Sequence, residues 1–228
     1  KKVILLLQFC LLLSACSYNE NMETERITME PTIVYDNIES RMPGMLMVCG
    51  EFAVWTDPFV TEGQSHILDL KEKKEIGKFV NVGNGPKEFI TPAFSLSDDK
   101  ELIVHDMNGD KMAIYAIGNA QEGQEPAGSF FDKKTQGLTR LIKIGNNDFI
   151  SFDPNSTFPF QTANGHNFGK YPFGNEIDNN YNVSQGNIAY NPDKKIFVYS
   201  TISFPYMAAY KKEKDKFELL WEQKGDLD

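Results

Sequence analysis

The chain is short of cysteine, histidine and basic residues, and each shortage excludes something. Three cysteines in 228 residues cannot build a disulfide framework. The three histidines, His66, His105 and His166, have no second His or Cys at metal-ligand spacing, so no zinc pattern is present. Lys and Arg number 23 against 32 Asp and Glu, a net charge of -9. A surface of that sign repels a phosphate backbone and argues against nucleic acid as a partner. No apolar run approaches the roughly 20 residues that cross a bilayer. No capping box opens a helix, and no G-x-S-x-G supports a Ser-His-Asp site. Asp106-Met107-Asn108-Gly109-Asp110 imitates the start of a calcium loop. Its twelfth position, however, is Ile117, where a bidentate Glu is required. No catalytic residue, metal site or cofactor is therefore read from the sequence.

What is present begins with an address. Lys1 and Lys2 precede an apolar run from Val3 to Leu13, and Ser14-Ala15-Cys16 follows. A basic start, a short apolar run and a small-residue exit make a secretory signal peptide over residues 1–15. Leu13-Ser14-Ala15-Cys16 resembles a bacterial lipobox. That resemblance implies a lipidated Cys16 at the mature N-terminus, held in the membrane by its acyl chains. Residues 16–30 are polar, acidic and without periodicity, and read as a flexible tether. Cys49 is then alone, and no intrachain disulfide is expected.

From residue 31 the chain reads as all-β. Phe52-Ala53-Val54-Trp55, Leu102-Ile103-Val104-His105, Phe149-Ile150-Ser151-Phe152 and Ile196-Phe197-Val198-Tyr199 are short runs rich in β-branched and aromatic residues. Each is preceded by a turn cluster and followed by a polar residue: Asp57, Asp106, Asp153 and Ser200. These lie 49, 47 and 47 residues apart. A period of 40–50 residues with four strands per unit is the mark of a β-propeller built of four-stranded antiparallel blades. Asn108-Gly109 reads as a two-residue hairpin turn, and Thr32-Ile33-Val34-Tyr35 as a spare strand. Residues 41–228 hold about four blades, whereas six need about 280 residues. The chain is expected to be the front part of a longer reading frame.

Gly83-Asn84-Gly85-Pro86-Lys87-Glu88-Phe89 lies between the first two blades. With Thr91-Pro92 and Leu102-Ile103-Val104-His105-Asp106, it resembles the TolB-like, NHL-related six-bladed propeller lipoproteins of Bacteroides-type bacteria. The family string has Gly where this chain has Lys87. The resemblance implies a six-bladed propeller on a lipid anchor in the cell envelope, as an outer-membrane lipoprotein. It implies no particular activity. In physical terms, Gly83 and Gly85 permit positive φ at the crossing between blades. Pro86 stiffens that crossing, Glu88 accepts backbone N–H bonds, and Phe89 fills the gap between blades.

Two functions compete: a non-catalytic module binding a glycan, a peptide or an envelope partner, and a calcium-dependent lactonase or lyase with its site in the central channel. The expected inner strands offer almost no carboxylates, and only Asn187 is a plausible metal ligand, which favours binding. Asp57, Asp106 and Asp153 end the second strand of their blades, so they gather on one face with the Gly83–Phe89 crossing. An aromatic excursion after Asp153 leaves from that face. Trp55, Asp57, Asp106, Asp153, Phe158 and Phe160 are the ligand-binding candidates. The competing reading is that each Asp only ties its own turn through backbone N–H groups.

Overall fold

The structure, a computed structural model, describes residues 28, 30–38, 40, 42–97, 100–145, 148–174 and 180–225, without the side chains of Asn180 and Tyr181. Cys16, the leader and most of the tether lie outside the described residues, as do Asp98, Asp99, Asn146 and Asn147 of two turn clusters. The described residues from 34 onward form one compact unit.

This unit is a β-propeller of four antiparallel four-stranded blades. The first holds β1 (Leu46–Cys49), β2 (Phe52–Thr56), β3 (Ser65–Asp69) and β4 (Lys74–Phe79). A two-residue parallel ladder, β5 (Asn81–Val82) with β6 (Glu88–Phe89), spans the crossing to the second blade. That blade holds β7 (Pro92–Leu96), β8 (Leu102–Asp106), β9 (Lys111–Tyr115) and β10 (Gly128–Asp132). The third holds β11 (Arg140–Lys143), β12 (Phe149–Phe152), β13 (Phe160–Thr162) and β14 (Asn167–Phe168). The fourth holds β15 (Gly186–Asn191), β16 (Ile196–Thr201), β17 (Tyr206–Glu213) and β18 (Lys216–Lys224). The only helical pieces among the described residues are Ile117–Asn119 and Asn180–Val183. The first strands of neighbouring blades lie side by side: β1 by β7, β7 by β11, and β11 by β15.

The second strands of blades 1 to 3 are apolar because both their faces are covered, whereas in β16 one face, with Ile196 and Val198, is half-buried. In β8, Leu102 and Val104 join Met47, Val54 and Ile67 in the core between blades 1 and 2. Ile103, one step out of phase, packs with Met112 against Leu141 and Phe149 of blade 3. Between blades 3 and 4 the core is aromatic, with Phe152, Phe160 and Phe168 against Phe197, Tyr199 and Tyr210. Phe160 alone lies 4.8 Å, centroid to centroid, from Phe197 and 5.1 Å from Tyr199.

Several expectations need correction. No strand forms over residues 32–35; Tyr35 instead lays its ring 6.2 Å from Trp55, covering the outer side of blade 1. The register pairs His105 with Met112, so the β8–β9 connection is longer than a two-residue turn. Asp106 Oδ1 accepts the Asn108 N–H at 3.0 Å and winds the chain there. The fourth repeat position is Thr201, not Ser200. Val54, Ile103 and Ile150 precede their Asp by three residues and face the following sheet; Val198, paired with Ala189 and Ala209, has that parity in blade 4. Gly83 and Gly85 are not in the left-handed region, which in that crossing is occupied by Val80 at φ 66°. Phe79 and Val80 both enter the same core, and the left-handed turn at Val80 lets consecutive side chains do so.

Candidate functional site

Three aspartates end the second strands of blades 1 to 3, and their carboxylates do the same local work. Asp57 Oδ1 accepts the Phe59 N–H at 3.1 Å, Asp106 Oδ1 the Asn108 N–H at 3.0 Å, and Asp153 Oδ1 the Asn155 N–H at 2.9 Å. Each is an i to i+2 turn closure of the kind Asp favours. Asp106 does more. Its Oδ2 accepts the Ile90 N–H at 2.6 Å and its Oδ1 the Thr91 N–H at 3.0 Å, so it clamps the incoming crossing to the β8–β9 loop. This places the crossings and those loops on one face.

The Gly83–Phe89 corner is held from inside. Glu88 Oε2 accepts the Gly85 N–H at 2.8 Å. Lys111 on β9 donates from Nζ to the carbonyls of Gly85 and Glu88, each at 2.6 Å. A Cβ on Gly83 would stand 2.1 Å from Glu88 Oε2, so the glycines make room for that carboxylate. Phe89 is fully buried in the core between blades 1 and 2, where it fills the gap expected of it.

The ligand candidates do not converge at one place. Trp55 is buried and stacks on His66 at 4.7 Å. Asp57 and Asp106 are buried in blades 1 and 2. Phe160 is fully buried in the aromatic core. Asp153 and Phe158, by contrast, line one cleft of about 350 Å³ beside blade 3. Phe158 keeps 45% of its surface exposed there. Around it stand Gln136, Ser151, Ser156 and Gln161, with Lys133 and Lys134 at the edge. Lys133 holds its ammonium 4.0 Å from the Phe149 ring centroid, and burial pulls its pKa below the ordinary lysine range. The loop from Asp153 to Pro159 is pinned by Tyr171, whose hydroxyl lies 3.0 Å from the Asp153 carbonyl and 2.7 Å from that of Ser156. Burial, then the Asp153 charge, pushes the Tyr171 pKa up to about 12, so it stays a neutral donor.

Sequence reading missed Lys133, Lys134 and Gln136. They occupy the crossing from blade 2 to blade 3, the counterpart of Gly83–Phe89, and the period itself would have located them. Among the described residues, no group of three or more His, Cys, Asp or Glu is placed to hold a metal ion. No helix among them is long and apolar enough to cross a membrane.

No protein-family profile matches the chain, and no curated protein matches it. Solved structures that resemble it do so at low sequence identity. The β-propeller domain of Cps50 (Swd1) from Myceliophteria thermophila matches at a TM-score of 0.47 and 11% identity, over 86% of this chain and 59% of that one. The N-terminal domain of Nup159 matches at 0.39 and 10%, over 79% and 47%. A protein of Bacteroides fragilis described as exported matches at 0.34 and 13%, over 85% and 73%. The chain thus spans about half to three-fifths of the first two structures. At these scores the likenesses carry no functional argument.

Proposed function

We propose that this chain is an outer-membrane lipoprotein of a bacterial envelope, anchored by an acylated Cys16 and a polar tether, whose propeller is of the six-bladed, TolB-like and NHL-related kind. In this reading the propeller is a non-catalytic binding module for a glycan or a peptide. One observation carries the reading: the cleft beside blade 3, where the exposed Phe158 ring stands among amide, hydroxyl and carboxylate groups. A half-exposed aromatic face takes an apolar ligand surface, and the polar groups around it fix hydroxyls or peptide amides. Calorimetric titration with maltohexaose, xylohexaose and a neutral hexapeptide tests it. One of them binds with a Kd below about 1 mM, and Phe158→Ala and Asp153→Ala each weaken it at least tenfold. Unchanged affinity in both variants places the site elsewhere.

A further inference from the structure

A second cavity lies apart from the blade 3 cleft. It measures about 310 Å³ and is walled by residues of all four inner strands or their immediate flanks, among them Met47, Phe94, Ile142 and Ile188. Two cations reach it, Arg140 and Lys143. They differ in what they already hold. Lys143 Nζ lies 2.6 Å from Glu101 Oε2, so its charge is met within the protein. Arg140 is half-buried at the start of β11, and among the described residues its side chain makes one hydrogen bond, from Nη1 to the neighbouring Thr139 carbonyl at 2.9 Å. Its guanidinium carries five N–H donors in a planar fork. No carboxylate of the described residues is paired with it. Removal from water also pulls its pKa below the ordinary arginine value, with burial as the cause.

A half-buried guanidinium with most donors unspent, set in an apolar wall, is an incomplete pair. We propose that this inner-strand cavity is a binding site for a monocarboxylate with an apolar body, with Arg140 taking the carboxylate through two parallel N–H bonds. The geometry of the fork matches a carboxylate. The charge count selects a monoanion: one cation is unpaired, and a dianionic phosphate would leave a buried charge unmet. The cavity, about 310 Å³ and open on one side, has room for about ten non-hydrogen atoms at roughly 30 Å³ for each water-sized unit. The apolar remainder of such a ligand lies against Met47, Phe94, Ile142 and Ile188. Ala189, whose side chain is small, leaves the space open.

Octanoate has the required size and charge, and octanamide is its neutral match. Calorimetric titration of the chain with each reads the proposal. Octanoate binds with a Kd in the sub-millimolar range and octanamide at least tenfold more weakly. Arg140→Gln weakens octanoate at least tenfold and leaves octanamide unchanged, which a purely structural role for Arg140 would not do. Ala189→Phe, which keeps the arginine and fills the space, abolishes both; this variant keeps the test alive if Arg140→Gln fails to fold. Equal affinity for octanoate and octanamide overturns the proposal. So does the absence of heat with octanoate at 5-fold above about 1 mM, or tighter binding of inorganic phosphate. Phe158→Ala leaves octanoate binding intact, which separates this site from the blade 3 cleft.

Discussion

Asp106 Oδ2 sits 2.6 Å from the backbone nitrogen of Ile90, sixteen residues earlier in the chain. The same carboxylate also takes the N–H groups of Thr91 and Asn108, and the residue is almost fully buried. Removing it breaks three part-buried hydrogen bonds from backbone N–H groups. Asp106→Ala therefore costs about 3 kcal/mol of folding stability, about 1 kcal/mol for each of the three lost bonds. Asp153→Ala, with a half-buried carboxylate that accepts the Asn155 N–H alone among the bonds seen, costs less than about 1 kcal/mol. Urea unfolding of the two variants measures the difference. Equal losses would mean that Asp106 serves its own turn and nothing more.

His105 gives the fold a pH dependence with a definite sign. It is buried, its Nε2–H donates to the Leu138 carbonyl at 3.1 Å, and its Nδ1 has no partner among the described residues. Burial, with Arg140 adding to it, lowers its pKa from 6.5 to about 4, against the raising effects of the Leu138 bond and Asp106. Between those values the unfolded chain binds a proton that the folded chain refuses. The stability from a neutral His105 is complete above about pH 6.5 and is lost as pH falls toward 4. Over that window it amounts to about 3 kcal/mol. Urea midpoints at pH 7 and pH 4.5 test this in the wild type and in His105→Gln. The variant loses less stability on acidification than the wild type; parallel losses would remove His105 as the cause.

The blades were legible where a strand is buried on both sides. Leu102 to Val104 forms an unbroken apolar run because blade 1 covers one face and blade 3 the other, and a run bounded by turn residues shows in composition alone. The outer half of blade 3 was not legible. Phe160–Thr162 and Asn167–Phe168 are too short to show alternation, and their aromatics are spaced by Asn, Gly and Pro. The strand period of two also left a one-residue ambiguity that only pairing resolves, hence Thr201 for Ser200. Site residues were harder. Asp106 and Asp153 look alike in sequence, yet what distinguishes Asp106 from Asp153 is a pair of N–H groups fifteen and sixteen residues away. A carboxylate's role depends on what crosses above it, and local sequence does not carry that.

Gly83 and Glu88 make a compact test of the inter-blade corner. A methyl at Gly83 would meet the Glu88 carboxylate at 2.1 Å, closer than any tolerated contact. Gly83→Ala therefore displaces that carboxylate from the Gly85 N–H and costs about 1–3 kcal/mol by overpacking. Glu88→Ala alone loses the bond and about 1 kcal/mol. In the double variant the clash is gone, so the two losses do not add, and the coupling is at least about 1 kcal/mol. Thermal or urea unfolding of the four proteins closes the cycle. Simple additivity would mean that Gly83 is required for its backbone and not for the space it leaves.

Phe158 and Phe160 stand two residues apart on opposite sides of Pro159, and the chain puts them to opposite uses. Phe160 is fully buried and touches five aromatic rings, those of Phe152, Phe168, Phe197, Tyr199 and Tyr210. Its loss opens a cavity between blades 3 and 4, and Phe160→Ala costs about 3–5 kcal/mol. Phe158 is 45% exposed on the cleft wall, and Phe158→Ala changes stability by less than about 1 kcal/mol. The contrast also separates folding from binding. Phe160→Leu, which keeps most of the buried volume, retains the cleft and its ligand affinity at reduced stability. Phe158→Ala retains stability and loses affinity. Denaturation midpoints and titration heats for the same two proteins decide this. If Phe158→Ala destabilises as much as Phe160→Ala, the exposed ring is part of the core's edge, and the cleft has no aromatic face to offer a ligand.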